Sequence, residues 1–446
     1  MSDHGPDHSP PPPPPPPGDR GPSRAQIIAG IAVALVFALA ALIVAAVISR
    51  GSDDSASDAT PAMSTTAKAA PGTTDPAPDT TARENGAIPA APTTTAGAAS
   101  DFDRALAPIL AFVEKERGLK FTSRPVVIAL SEADFVARFQ KLTDDDYRKY
   151  RAEYDSATVV LSALGLLKPG VSYYETTKAF GDAGVLGFYD PETKELSVRG
   201  KTLTPFVKTV VAHELTHALD DQWFDLDRPE YKDAEDEISF GLSAVAEGNA
   251  RRIENAYRET LSTADSAAAD KEEASYGGGF QANQFTAAFL KLQLAPYSLG
   301  EAFVNDLLDL GGQAALDAAF NAPPTTSEEV LDVDKYLAKE GRTEVAPPPA
   351  EAAVVEDGVM GEIVIRYLLE NVVSTAQATR AATGWAGDWY VAWSAGGASC
   401  VRMAIQMDTA ADTADLKSGF DRWAATRPKA NVTVNAKTVT VTSCTK

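Results

Sequence analysis

The sequence predicts an α+β protein that is mostly helical, with a small antiparallel sheet, a small C-terminal α+β module and a single N-terminal transmembrane helix. Three observations support this fold class. One long stretch near the N-terminus is apolar and uncharged, most of the central chain has helical spacing, and strand-like segments surround one helix near the C-terminus. With 446 residues and 44% hydrophobic content, the chain is long enough for two or three domains with a sizeable core.

The first hundred residues are predicted to form a tail, a membrane helix and a stalk. Residues 1–24 include an unbroken proline run and are predicted to be a disordered cytoplasmic tail. The transmembrane helix is predicted at residues 25–49, where QIIAGIAVALVFALAALIVAAVIS has no charge. At about 1.5 Å rise per residue it spans a bilayer core of about 30 Å. Residues 50–100 are rich in Ala, Thr and Pro and are predicted to be a disordered stalk.

The charges around this apolar stretch predict its orientation. Arg20 and Arg24 precede it, and Arg50 follows it. Because positive charge stays on the cytoplasmic side, we expect a single-pass protein of the cell membrane with its N-terminus in the cytoplasm and its large C-terminal part extracellular. Cys400 and Cys444 are predicted to form one disulfide there, with two buried free thiols as the alternative.

The overall charge limits the classes of partner. The formal net charge is −22, whereas proteins that bind nucleic acid need a basic surface. We therefore expect no nucleic-acid partner, and the acidity itself favours solubility. The sequence gives no indication of the oligomeric state.

The folded region is predicted to begin near Asp101 with a first domain at 101–340. FDRALAPILAFVEKERGL has helical spacing, RPVVIALS is typical of a strand, and two further helices follow. VLGFYDPETKELSVRG is typical of a hairpin because apolar segments flank the turn-forming DPETK. A helix is predicted from Thr204 to Asp221, with Thr204 as N-cap and Pro205 in the first helical position.

The second half of the folded region is predicted to be helical and then mixed. A long helix is expected over 235–261, and further helices over 283–340. Residues 341–384 are predicted to be a linker followed by a helix. Residues 385–446 are predicted to be the α+β module, because DWYVAW, CVRMAIQM and NVTVNAKTVTVTSC are strand-like and TADLKSGFDRWAAT is helical.

The stretch VVAHELTHAL, residues 210–219, carries the strongest chemical signal. Residues four apart lie on one face of a helix, so His213 and His217 can both direct an imidazole at one metal ion. Glu214 then reaches beside the metal. This pattern is typical of a zinc site with an open position for water and a carboxylate as general base. The alternative is an amphipathic helix with two core histidines, although the other two histidines of the chain lie in the N-terminal tail.

A third metal ligand has to come from elsewhere in the chain. No third histidine follows the motif, so a carboxylate on a later helix is the remaining common solution. Glu247 is favoured because its neighbours in SAVAEGNAR are small or apolar, Gly248 permits close helix approach, and an unpaired buried charge is costly. Glu237, in the more polar AEDEIS, is the alternative. Asp221 is a candidate to orient a ligand histidine or a plain helix-end carboxylate, and Tyr297 is a candidate oxyanion donor or a packing residue.

VVAHELTHALDDQ, followed by a helix with AEGNA, resembles zinc metallopeptidases of the zincin class, gluzincin branch. It particularly resembles uncharacterised bacterial membrane-anchored or secreted members, and the similarity covers roughly residues 180–400. The resemblance implies a zincin-like domain with Zn²⁺ held by His213, His217 and Glu247, and Glu214 as general base. It also implies that the strand at 185–189 pairs with an extended substrate. The spacing to Glu247 is longer than in thermolysin-like enzymes and aminopeptidases.

The expected function is therefore a membrane-anchored, outward-facing zinc peptidase that acts on a peptide or protein substrate. Glu214 would deprotonate the zinc-activated water and then protonate the leaving amine. One alternative is a non-catalytic cell-surface binding protein on a metallopeptidase-like scaffold, which has no need to keep Glu214. The other is an aminopeptidase, for which FGDAG at 180–184 is the candidate amine-binding loop.

Overall fold

The computed structural model describes residues 101–182, 185–232, 236–277 and 285–446. The tail, the transmembrane helix and the stalk that the sequence predicts lie outside these residues, and so does part of the 180–184 loop.

Within the described ranges, helices and strands alternate in the first half, helices dominate the middle, and a second group of strands follows. The helices are α1 (Asp101–Arg117), α2 (Glu132–Lys149), α3 (Arg151–Leu164), α4 (Tyr173–Asp182), α5 (Pro205–Phe224), α6 (Pro229–Lys232), α7 (Asp236–Glu259), α8 (Thr263–Gly277), α9 (Ala287–Asn321), α10 (Ser327–Leu331), α11 (Val333–Ala338), α12 (Gly361–Leu369), α13 (Thr375–Ala382) and α14 (Ala410–Ala425). The strands are β1 (Val126–Leu130), β2 (Gly187–Asp190), β3 (Glu195–Arg199), β4 (Val354–Gly358), β5 (Trp385–Ala395), β6 (Ala398–Met407), β7 (Asn431–Asn435) and β8 (Thr438–Cys444).

The first sheet has three strands in the order β1-β3-β2. The predicted hairpin is present as the antiparallel pair β2–β3. The prediction that this sheet is antiparallel is wrong, because β1 pairs with β3 in parallel. The chain leaves β1 through α2, α3 and α4 before it returns to the sheet, and a parallel pair needs a long crossover of this kind.

The predicted fold class also included a transmembrane helix, and this part needs correction. None of the helices in the described ranges is both long enough and apolar enough to cross a membrane. The longest described helix, α9, carries acidic residues such as Glu301 and Asp306 and has non-helical backbone angles at Gly312. What the structure describes is a mostly helical chain with two small sheets.

The second sheet has five strands in the order β4-β5-β6-β8-β7, and every neighbouring pair is antiparallel. Its first strand, β4, comes from the segment that the sequence predicts to be a linker, so the sheet begins before residue 385. Cys400 on β6 lies opposite Cys444 on β8, and the two form the disulfide that the sequence predicts.

The second sheet packs on the C-terminal end of α3. The guanidinium of Arg427 donates to the carbonyl oxygens of Ala163 (3.2 Å) and Leu164 (2.5 Å). Gly165 ends α3 with a φ of 73°, and a Cβ at this position would lie 1.6 Å from the guanidinium. A cation at a helix C-terminus is favoured by the helix dipole. The C-terminal module is therefore fastened to the first domain by its own polar contacts.

A buried arginine connects α1, α5 and α9. The Nε of Arg117 donates to Asp220 Oδ1 at 2.6 Å, and its Nη2 donates to Asp317 Oδ1 at 2.7 Å. Its Cζ lies 5.3 Å from the ring centroids of both Phe224 and Phe320. A buried charge is tolerated only when it is paired and hydrogen-bonded, as it is here. This arrangement fixes the C-terminal half of α5 in the core.

We expect that replacing both cysteines by serine lowers the free energy of unfolding by about 3–4 kcal/mol, because the unfolded chain then gains the freedom of an open loop. The sequence separation of the two cysteines is 44. Denaturant unfolding of the full-length protein under non-reducing conditions measures the effect. Reduced wild-type protein should match the variant, and an unchanged unfolding midpoint would contradict the structural role of the disulfide.

Candidate metal centre

Helix α5 carries the His-Glu-x-x-His motif into the core. Thr204 caps its N-terminus, where the hydroxyl accepts a hydrogen bond from Val207 N at 3.1 Å, and Pro205 follows in the first turn. Residues 209–221 of α5 are all buried, because the helix lies between the first sheet, α1 and α7. This placement explains why apolar residues surround the motif on every side of the helix.

Helix α7 supplies the third side chain, and two glycines determine how it approaches α9. A Cβ on Gly248 would lie 2.2 Å from the backbone of Gly300, and a Cβ on Gly300 would lie 2.1 Å from Ala244 O. The two helices therefore touch through their backbones at this crossing, which only glycine permits. The neighbouring Glu247 of α7 is directed at the histidines of α5.

His213, His217 and Glu247 bring three ligand atoms together in the interior. The Nε2 atoms of the two histidines are 3.1 Å apart, and Glu247 Oε2 lies 3.2 Å from the first and 3.5 Å from the second. Ligands about 2.0–2.1 Å from a tetrahedral zinc ion are separated by roughly 3.3 Å. The three atoms therefore already have the spacing of a tetrahedral face, and the donor set of two nitrogens and one oxygen is one that zinc takes.

The electrostatics of this group also favour a bound cation. Burial lowers the pKa of His213, but hydrogen bonds with Glu247 and Glu254 outweigh burial and raise this pKa to about 10. Burial lowers the pKa of His217, which favours the neutral imidazole that binds metals. Glu247 and Glu254 place negative charge on this buried group, a proton on His213 balances it, and a metal ion bound there would displace that proton.

Glu214 lies beside these three residues and is not one of the clustered ligands. Its Oε2 accepts a hydrogen bond from the backbone N–H of Tyr189 on β2 at 2.8 Å. Gly187 on the same strand makes room for it, because a Cβ there would lie 3.2 Å from Glu214 Cγ. Burial raises the pKa of Glu214 to about 8.

Glu254 belongs to the site although the sequence analysis did not identify it. Its Oε2 lies 3.2 Å from His213 Nδ1 and 2.9 Å from Arg251 Nη1. Burial raises its pKa, but the charge of Arg251 and the hydrogen bond with His213 outweigh burial and lower it to about 2. An ionised carboxylate on the far nitrogen fixes the ring and tautomer of a ligand histidine. Its position two helical turns after Glu247 was the available signal, since that spacing places both on one face.

Asp221, the sequence candidate for orienting a ligand histidine, has a different set of contacts. It accepts hydrogen bonds from Tyr189 Oη at 2.6 Å and from Leu226 N at 2.8 Å. It therefore joins the end of α5 to the β2–β3 hairpin. The negative charge of its neighbour Asp220 partly opposes the lowering of the His217 pKa by burial.

The two remaining candidates from the sequence are Tyr297 and Glu237, and they have different contacts. The ring of buried Tyr297 on α9 stacks on that of His213, with centroids 6.1 Å apart and an interplanar angle of 24°. This geometry is typical of a tyrosine ring that packs against a histidine ring. Glu237 accepts hydrogen bonds from Ser327 N at 2.6 Å and Ser327 Oγ at 2.8 Å, so it caps α10 and lies outside the three-residue cluster.

Comparison with known proteins gives one match. Residues 351–444, which span β4 to β8, match a family described as Domain of unknown function (DUF8575). No curated protein and no solved structure matches the chain. The match covers the C-terminal module and lies outside the metal centre, so the chemistry of the centre has to be argued from its own residues.

We expect Glu254→Ala to weaken zinc binding by about 10- to 100-fold, because His213 then loses the carboxylate that fixes its ring. Competition with a zinc-binding dye measures the affinity. Glu259→Ala is the matched control, since Glu259 lies on the same helix but is exposed. Equal affinities for the two variants would show that Glu254 does not support the metal centre.

Proposed function

We propose that this protein is a zinc-dependent peptidase. His213, His217 and Glu247 hold Zn²⁺ in this proposal, and Glu214 acts as general base. The observation that carries it is the convergence of three ligand atoms at separations of 3.1, 3.2 and 3.5 Å, with the Glu214 carboxyl group beside them. Two histidines that only packed in the core would not require a third ionisable side chain, that of Glu247, at a similar distance from both.

The proposed reaction divides the chemistry between the metal and one carboxylate. Bound zinc would polarise the scissile carbonyl and lower the pKa of a water molecule. Glu214 would take a proton from that water as the water oxygen adds to the scissile carbonyl carbon, and would give the proton to the leaving amine as the C–N bond breaks. The hydrogen bond from Tyr189 N keeps the Glu214 carboxylate in position for both steps.

The first sheet supports an extended peptide as substrate. Strand β2 is an edge strand of the described sheet, and it pairs with β3 through the register Phe188↔Ser197. The same strand contacts α5 and binds Glu214 through Tyr189 N. Residues 187–189 of β2 are buried and Tyr189 N already donates to Glu214, so an extended substrate that added to this edge would pair with its remaining backbone groups.

The disulfide indicates the kind of compartment in which the protein functions. A bond between Cys400 and Cys444 persists in oxidising compartments and is rare in the reducing cytosol. We therefore propose that the described part of the chain functions in an oxidising compartment.

The proposal is tested by separating metal binding from catalysis. Glu214→Gln keeps the shape of the side chain but cannot accept a proton, so zinc should remain while hydrolysis of a peptide library falls about 10²-fold or more. Glu247→Ala removes a ligand and should release zinc. Metal analysis and mass spectrometry of the cleaved peptides provide the two measurements.

Glu237→Gln is the matched control, because Glu237 is also a buried glutamate of α7 but binds Ser327. It should keep both zinc and activity. Loss of zinc from Glu237→Gln, with retention in Glu247→Ala, would contradict the ligand assignment. A zinc-loaded wild-type protein that cleaves no peptide would favour the binding-protein alternative over a peptidase.

A further inference from the structure

A cleft opens between two helices of the C-terminal module, α13 and α14, and none of the metal-centre residues lines it. Its volume is about 100 Å³. About 10–15 Å³ is enough to hold one water molecule, so the cleft has room for a small organic ligand. We call it the α13–α14 cleft.

The buried part of the α13–α14 cleft is apolar, because the two helices approach closely there. A Cβ on Gly419 of α14 would lie 3.0 Å from Leu369 Cδ1 and 3.3 Å from Ala381 Cβ of α13. Glycine permits this approach because it has no side chain. Ala381 and Val373 both line the cleft. A ligand that enters it therefore meets apolar groups, which suit a short hydrocarbon chain.

Two arginines line the same cleft from opposite helices. Arg380 belongs to the last turn of α13 and Arg422 to the last turn of α14, and both are exposed, so a ligand from solution can reach them. Among the arginines of the described ranges, these two are the ones that make no hydrogen bond or ion pair with the protein. The formal net charge of the chain is −22, so carboxylates that could pair with arginines are abundant. The cleft therefore keeps two guanidinium groups available for a ligand.

The amide of Gln377 adds a further donor to the cleft. Its Oε1 accepts hydrogen bonds from Ser374 N at 3.3 Å and Ser374 Oγ at 3.2 Å, in the capping box that begins α13. The capping box therefore fixes which end of the amide faces Ser374, and it leaves the NH₂ group of Gln377 as a donor.

The charges that line the cleft indicate which anion fits. Asp415 of α14 also lines it, so two guanidinium groups and one carboxylate give one net positive charge. A ligand carboxylate carries one negative charge and balances this group. A phosphate group carries about −1.5 to −2 at neutral pH and would also be repelled by Asp415. The lining therefore favours a carboxylate over a phosphate.

We propose that the α13–α14 cleft binds a small carboxylate, held by Arg380 and Arg422, with its hydrocarbon part against Val373 and Ala381. A guanidinium group presents its N–H donors in a planar fork that matches the two oxygens of a carboxylate. The proposal is independent of zinc and of peptidase activity.

The test is saturation-transfer NMR of sodium butyrate with the full-length protein. Butyrate joins one carboxylate to a short hydrocarbon chain. We expect saturable binding with a Kd of about 1–10 mM, because ion pairs with exposed arginines are weak. Butylammonium, which has the same chain and the opposite charge, should not bind. Inorganic phosphate should compete only weakly, because of its additional negative charge.

Variants of the lining residues test the assignment. Arg380→Gln and Arg422→Gln should each weaken butyrate binding by at least about fivefold, because each removes one charged donor group. Asp415→Asn should tighten it by about twofold or more, because the opposing charge is removed. Lys417→Gln is the matched control, since Lys417 also carries a positive charge on α14 but pairs with Asp421 and does not line the cleft. It should change the Kd by less than about twofold, because exposed charges at a distance are screened by salt. Unchanged thermal unfolding midpoints show that each variant retains its fold.

Three results would overturn the proposal. The first is the absence of saturable butyrate binding by the wild-type protein below about 50 mM, five times the weakest affinity expected. The second is an equal loss of affinity in Lys417→Gln and in the two arginine variants, because butyrate would then respond to the surface charge in general. The third is tighter binding of phosphate than of butyrate, which would assign the cleft to phosphate.

Discussion

The structure depends on how it balances four ionisable side chains that are buried together. His213, His217, Glu247 and Glu254 are each at most 4% exposed, so water cannot solvate their charges. Contacts among the four side chains therefore have to stabilise these charges. A buried polar group with only part of its hydrogen bonds formed is less stable than an apolar core. A divalent cation at the point shared by two imidazoles and one carboxylate would satisfy the group, and Glu254 and Arg251 pair behind His213. The helices around the centre can be understood as the support for this arrangement.

That support is mostly backbone geometry. The crossing of α7 and α9 at Gly248 and Gly300 brings the helices close enough for Glu247 to reach the histidines of α5. On the opposite side, Arg117 ties the C-terminal half of α5 to α1 and α9 through Asp220 and Asp317. Each contact uses a residue that packing alone would not require: a glycine within a helix, or a buried arginine.

The sequence predicts those features whose cause is local. Helical spacing alone places His213 and His217 on one face, and the apolar neighbours of Glu247 indicate a buried carboxylate. Features that depend on distant segments are not readable in this way. The parallel pairing of β1 with β3 requires knowledge of the crossover, and the contacts of Asp221 with the hairpin depend on where β2 lies. The spacing of Glu254 from Glu247 places both on one helix face, but the contact of Glu254 with His213 exists only once α7 has docked on α5.

The central claim is that three residues from two helices hold one zinc ion. Anomalous diffraction at the zinc absorption edge, from crystals of the zinc-loaded protein, tests it most directly. We expect one peak about 2.0–2.2 Å from Nε2 of His213, Nε2 of His217 and an oxygen of Glu247. A peak elsewhere in the molecule, with these three side chains bonded only to one another, would contradict the claim.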